Sequence, residues 1–171
     1  MEAVERYEAG LVTTMDEHLD ALERRLTSKR LRQLLRDWAS WRQGREFPSR
    51  ADVSPEKIKY LLGGIVLLDV TYDPLLFRYR LMGSALAARR GHDLTGKLLD
   101  DNPDPELRQG LIKLNSSVVE TRRPQTSEYR IAGLATGRSY NYDALNLPLS
   151  NDGKQINMIL SGSAYIDEET P

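Results

Sequence analysis

The stretch Ile65–Lys97, IVLLDVTYDPLLFRYRLMGSALAARRGHDLTGK, decides the fold. Ile65 to Val70 is a nearly continuous apolar run and reads as a strand. Asp73-Pro74 reverses the chain. The next run alternates, with Phe77, Tyr79 and Leu81 on one side and Arg78 and Arg80 on the other. That period of two belongs to a sheet with one face on a core and one on water. Gly83 breaks the strand, Ser84 to Arg90 is predicted as a short helix, and Gly91-His92-Asp93-Leu94-Thr95-Gly96-Lys97 closes the segment.

Downstream, Leu98 and Leu99 are expected to pack inward. Asp104-Pro105 starts the longest predicted helix, running to about Arg122, with Leu107, Leu111, Leu114 and Val118 along one face; Pro124 cannot continue it. Three strands follow. Ser127–Ile131 alternates, and the loop Gly133–Gly137 turns the chain into Ser139–Leu149. There Tyr140 and Tyr142 are out of phase with Leu145, Leu147 and Leu149, and a bulge near Asp143-Ala144 would account for the slip. Asn151-Asp152-Gly153 is a strong hairpin signal. The last strand, Gln155 to about Ile166, carries Ile156, Met158 and Leu160 on one side.

Upstream, Thr14 and Glu17 form a capping box for a helix whose apolar residues are Met15, Leu19, Leu22 and Leu26. This stripe fits either a helix that pairs in a dimer or one that lies on its own domain. Ser28 caps a second helix to about Gln43, in which Leu31, Leu34, Leu35, Trp38 and Trp41 share a face. Arg24 to Arg50 holds nine Lys or Arg against Asp37 and Glu46; this reads as a solvated basic face, since the tryptophans lie on the apolar side. Ser54-Pro55 opens a short helix that Gly63-Gly64 ends. The order is helices, then β-β-α-α-α-β-β-β. It predicts an α+β domain, a five-stranded antiparallel sheet with helices packed on one face, preceded by N-terminal helices.

With 171 residues and 40% hydrophobic content, the chain supports one core. Its net charge of −1 gives no global attraction to nucleic acid. No apolar run is long enough to span a bilayer and no signal-peptide pattern opens the chain, so a cytoplasmic location is expected. Zero cysteines exclude a disulfide, a thiolate metal site and a cysteine nucleophile. There is no phosphate loop, metal-ligand cluster or helix-turn-helix signature.

The element order, the Leu94-Thr95-Gly96-Lys97 turn, the Leu147-Pro148-Leu149…Asp152-Gly153 hairpin and a closing strand ending near Asp167 together resemble the PAS family. The tryptophan-bearing helix, Phe47-Pro48-Ser49-Arg50-Ala51-Asp52, Ser54-Pro55 and Phe77–Gly83 look like a group of small bacterial single-domain PAS proteins. The closing Ile166-Asp167-Glu168-Glu169-Thr170 departs from the family's Asp-Ile-Thr ending. On this reading, 1–13 is a flexible N-terminus, 14–64 a helical extension, 65–167 the PAS domain and 168–171 an acidic tail. The resemblance implies a regulatory sensor that is not an enzyme, a homodimer, and a signalling partner such as a sensor histidine kinase.

Alternation places Tyr79, Leu81, Tyr129, Ile131, Tyr140, Tyr142, Met158 and Leu160 on the inner sheet face, with Leu86, Leu94 and Leu111 opposite on the helical side, as a ligand site. Several buried phenols on one face call for a polar cavity or a wet rim. Haem-binding relatives place a histidine on the long helix, and adduct-forming flavin photosensors need a cysteine; this chain has neither, so the cofactor is open. His92 beside Asp93 is read as structural, because adjacent residues rarely face each other. Two functions remain, a sensor with a ligand and a ligand-free adaptor or oligomerisation module.

Overall fold

The computed structural model describes residues 13–132 and 139–165; for residues 130–132, 139 and 140 it describes the backbone alone. The expected frayed N-terminus, the Gly133–Gly137 loop and the acidic tail lie wholly or almost wholly outside the described residues. Five antiparallel strands form one sheet: β1 (Ile65–Thr71), β2 (Leu76–Met82), β3 (Gln125–Ala132), β4 (Ser139–Leu149) and β5 (Met158–Tyr165). Their spatial order is β2-β1-β5-β4-β3, so the first and last strands meet in the middle.

Helices α1 (Met15–Arg25) and α2 (Lys29–Trp41) precede the sheet, and α3 (Ser84–Arg90) and α4 (Pro105–Thr121) lie between β2 and β3. The caps of α1, α2 and α4 are in place, whereas Ser54, expected to cap the segment after it, makes no side-chain capping hydrogen bond. Thr14 and Glu17 form the reciprocal box of α1, Ser28 accepts from the Leu31 amide at 3.1 Å, and Asp104 accepts from Glu106 and Leu107 at 3.1 Å each. Gly91 ends α3 in the left-handed region at φ 79°, a conformation that glycine adopts without a Cβ penalty. Pro55–Gly64 is a 3-10 segment, not an α-helix.

The helices cover both faces of the sheet. α3 and α4 stand over one face, and α2 lies across β4 and β5 on the other. The approach on the second face is close. A Cβ at Gly162 would fall 2.6 Å from Leu34 and 2.9 Å from both Leu31 and Leu61. All five apolar residues of the predicted α2 face are buried. Trp38 is fully buried and its indole N–H donates to the Pro148 carbonyl at 2.9 Å.

Two-sided burial explains β4. Its pairing with β5 runs unbroken from Tyr142↔Tyr165 to Leu149↔Met158. The bulge expected near Asp143-Ala144 does not exist. Tyr142, Ala144 and Asn146 face α3 and α4, while Leu145, Leu147 and Leu149 face α2, so tyrosines and leucines occupy opposite phases of one regular strand. The sheet's irregularity lies between β1 and β2, where Leu68 pairs with Tyr79 but Leu67 pairs with Leu81, leaving Arg80 extra. One extra residue reverses every later side chain.

The Phe47–Asp52 connector docks on the β4–β5 hairpin. The Ser150 amide donates to the Pro48 carbonyl at 3.0 Å and the Arg50 amide to Asn151 at 3.4 Å. Phe47 is buried beneath the Arg122 guanidinium, which pairs with Glu46 at 2.9 Å. Two separate sequence signatures are thus one contact.

His18 fastens α1. Its Nε2 lies 2.7 Å from the Pro124 carbonyl, a contact the neutral ring makes by donating. Burial pushes its pKa below the ordinary value, opposed by the Pro124 hydrogen bond and reinforced by Arg123 and Arg25. A histidine whose folded pKa is depressed lends full stability above its unfolded pKa, near 6.5, and loses it as pH falls toward the folded value. The urea midpoint is therefore expected to drop more between pH 7.5 and 5 in the wild type than in His18→Gln, which keeps an amide donor. Equal drops would mean that His18 does not carry this dependence.

Candidate functional site

A cavity lies between the sheet and the α3–α4 side. Its floor follows from residue size. Along β4 the floor residues are Tyr142, Ala144 and Asn146, and opposite the last two on β5 stand Ser163 and Ser161. Ala144, Ser161 and Ser163 are the small members of that pattern, and all three line the hollow. Val66 and Leu68 of β1 and Tyr79 and Met82 of β2 extend the wall. From the helices come Leu86 and Arg90, four apart on α3, and Leu111 and Asn115, four apart on α4. The cavity measures about 40 Å³, room for roughly three ordered waters or a ligand of a few heavy atoms.

Both ends are polar. At one end a buried chain of side chains runs from helix to sheet. Asn115 donates to the Leu111 carbonyl at 2.8 Å, Asn146 donates to the Asn115 side-chain oxygen at 2.7 Å, and Ser161 donates to the Asn146 side-chain oxygen at 2.8 Å. Asn115 and Asn146 are each 1% exposed, so their amide groups depend on these partners. On the β2 side, Asn102 donates to the Tyr79 hydroxyl at 3.3 Å.

At the other end Tyr129, Tyr142 and Tyr165 form a row across β3, β4 and β5, with centroids 5.2 and 5.6 Å apart. The last two residues of α3 stand over this row. The Arg89 guanidinium is 3.8 Å from the Tyr165 ring centroid, and that of Arg90 is 5.5 Å from the Tyr142 centroid. Arg90 also donates to the Tyr142 hydroxyl at 2.9 Å. Burial drives the Tyr142 phenol well above its ordinary pKa and raises those of Tyr79 and Tyr129, so all three are neutral at physiological pH.

A PAS domain model matches residues 26–162 of this chain. The chain belongs to the PAS domain family. Among solved structures, the PAS domain of BvgS from Bordetella pertussis is 20% identical, covers 67% of this chain and 87% of its own, and has a TM-score of 0.50. A light-oxygen-voltage domain studied with a flavin analogue gives 12% identity, 67% and 87% coverage and a TM-score of 0.50. These likenesses carry the fold. No curated protein matches the chain. PAS domains are generally sensory rather than catalytic, and they commonly mediate protein interactions and dimerise.

Of the residues expected at the PAS cavity, Tyr79, Leu86, Leu94, Leu111 and Tyr142 line it. Tyr129 is buried beside it in the tyrosine row. The side chains of Ile131 and Tyr140 lie outside the described residues. Three expectations are corrected. Leu81 is 43% exposed, because the extra Arg80 turns it out and gives its inward place to Met82. Met158 and Leu160 are buried on the opposite face, paired with Leu149 and Leu147 beneath α2. A strand buried on both sides has no alternation from which to read its phase.

The α1 stripe turns inward. Leu19, Leu22 and Leu26 are buried in the core cluster and Met15 packs partly against it, so within this chain the stripe fits a helix lying on its own domain. Asp93 accepts from the Thr95 amide at 2.9 Å and its hydroxyl at 2.7 Å, closing the Leu-Thr-Gly-Lys turn. The site residues that pattern reading missed are mainly polar: Arg90, Asn102, Asn115, Asn146, Ser161 and Ser163. Asn115 had a signal, four residues after Leu111 and three before Val118 on the apolar face of α4.

Proposed function

We propose that this PAS domain is a regulatory sensor that takes a small molecule into the cavity between α3, α4 and the sheet, and passes the signal to another protein. The observation that carries the reading is the buried Asn115–Asn146–Ser161 chain. Aliphatic residues would fill the same space without the desolvation cost of three polar side chains. A polar wall is useful where something polar is to be recognised.

Transmission follows from β4. Tyr142 faces the cavity, and the next residue, Asp143, faces the other side of the sheet and accepts from the Thr27 amide at 3.2 Å. Thr27 lies between α1 and α2. A shift of β4 on ligand binding is thereby felt at the N-terminal helices, which are the surface we assign to a signalling partner such as a histidine kinase or a second copy. A ligand moves this equilibrium only by binding one arrangement better than the other.

A second reading, a ligand-free adaptor, is favoured by the cavity's size. It holds about 40 Å³, against roughly 300–1,000 Å³ for sites that take drug-sized ligands. Native mass spectrometry of protein purified gently from its own host separates the two. The sensor reading expects a reproducible excess mass that disappears on denaturation. A bare mass in every preparation, joined by a partner retained on capture, would establish the adaptor instead.

A further inference from the structure

We propose that the ligand of this cavity is a small oxyanion, a short-chain carboxylate or an inorganic ion of similar size, held by Arg90. The inference rests on the sensor reading and gives it a chemical class. Arg90 lines the cavity from the end of α3. It is partly buried, and among the described residues it forms no ion pair. Its partners are the hydroxyl and the ring face of Tyr142, both neutral. Among the described residues, no Asp or Glu lines the cavity. Other arginines of the chain do find carboxylates: Arg36 meets Glu23, Arg45 meets Asp52 and Arg122 meets Glu46. At Arg90 the guanidinium lines the cavity beside the Tyr142 phenol.

A guanidinium presents five N–H donors in one plane, and one of them is engaged by Tyr142. The remaining fork matches a carboxylate or another planar oxyanion in bidentate geometry. The hydrogen bond to the Tyr142 hydroxyl tethers the guanidinium, so less freedom is lost on binding. Val66, Leu68, Leu86 and Leu94 offer an apolar wall for a short carbon tail, and Ser163 offers a further hydroxyl. The volume limits the ligand to a few heavy atoms.

The test is isothermal titration of the full chain at pH 7 and fixed ionic strength with propionate, pyruvate, nitrate and inorganic phosphate. Propionamide, the neutral isostere of propionate, is the control. Binding of propionate or pyruvate with no binding of propionamide is expected. Arg90→Gln is expected to weaken it about tenfold or more, the loss of a charge-assisted pair. Nitrate or phosphate binding more tightly than the carboxylates would keep the oxyanion class and assign an inorganic source. Propionamide binding as well as propionate, or unchanged affinity in a folded Arg90→Gln variant, would overturn the proposal. If Arg90→Gln does not fold, the propionate–propionamide comparison on the wild type decides alone. Absence of any binding alongside a host-derived excess mass sinks the oxyanion class and leaves the sensor reading. Absence of both sinks both.

Discussion

Replacing Trp38 by alanine is expected to cost about 3–5 kcal/mol of folding free energy, the range for removing a large buried aromatic. The indole is fully buried between α2 and the sheet, and its N–H meets the Pro148 carbonyl at 2.9 Å. Truncation leaves both a void and a carbonyl without its donor. Trp38→Phe separates the two, keeping most of the volume and losing the hydrogen bond, at about 1–3 kcal/mol for a buried group left unsatisfied. Urea denaturation with an unchanged m-value is the measurement. A loss under about 1 kcal/mol for Trp38→Ala would mean that α2 is a detachable appendage, and that its contact with β4 transmits nothing.

That experiment bears on how signals leave a PAS domain of this construction. Because α2 covers β4 and β5 directly, the sheet is a shared wall between the cavity and the N-terminal helices. Gly162 makes the approach possible, since any side chain there would meet Leu31, Leu34 and Leu61. A tight interface couples the two layers better than a loose one, because packed interiors move between discrete arrangements rather than deforming smoothly.

The fold was legible in sequence wherever one physical rule acted alone. The Thr14–Glu17 box, the Ser28 and Asp104 caps and the apolar face of α2 each sit where local chemistry places them. Strand phase was not legible where two layers compete for one strand. β5 is buried at every position, so Met158 and Leu160 offered no contrast with Ser161 and Ser163, and small polar residues on the cavity side read as unremarkable. Leu81 misled for a different reason. The alternation of β2 is perfect in sequence up to Arg80, and only the pairing with β1 reveals the extra residue. The polar site was the least legible part. Apolar periodicity finds the residues that fill a core, whereas Arg90, Asn115 and Asn146 matter because they interrupt one.

Asn146→Leu is expected to cost about 2–4 kcal/mol, since it leaves two neighbours at once without their buried partner. Asn146 donates to the Asn115 oxygen and accepts from Ser161, and it is 1% exposed. Leucine is close in volume, so the loss measures polar satisfaction and not a cavity. The double variant Asn115→Leu/Asn146→Leu is expected to be more stable than the sum of the single losses predicts, because an apolar pair leaves only Ser161 to find another acceptor. A coupling of about 1 kcal/mol or more in that cycle would establish the amide pair as one unit. Additive losses would show that the two asparagines act separately. The double variant also distinguishes stability from recognition. If the amide chain exists to bind, the repaired core folds well and no longer retains the excess mass. If it serves only the packing of α4 on β4, the repaired core folds well and any ligand held at Arg90 is still retained.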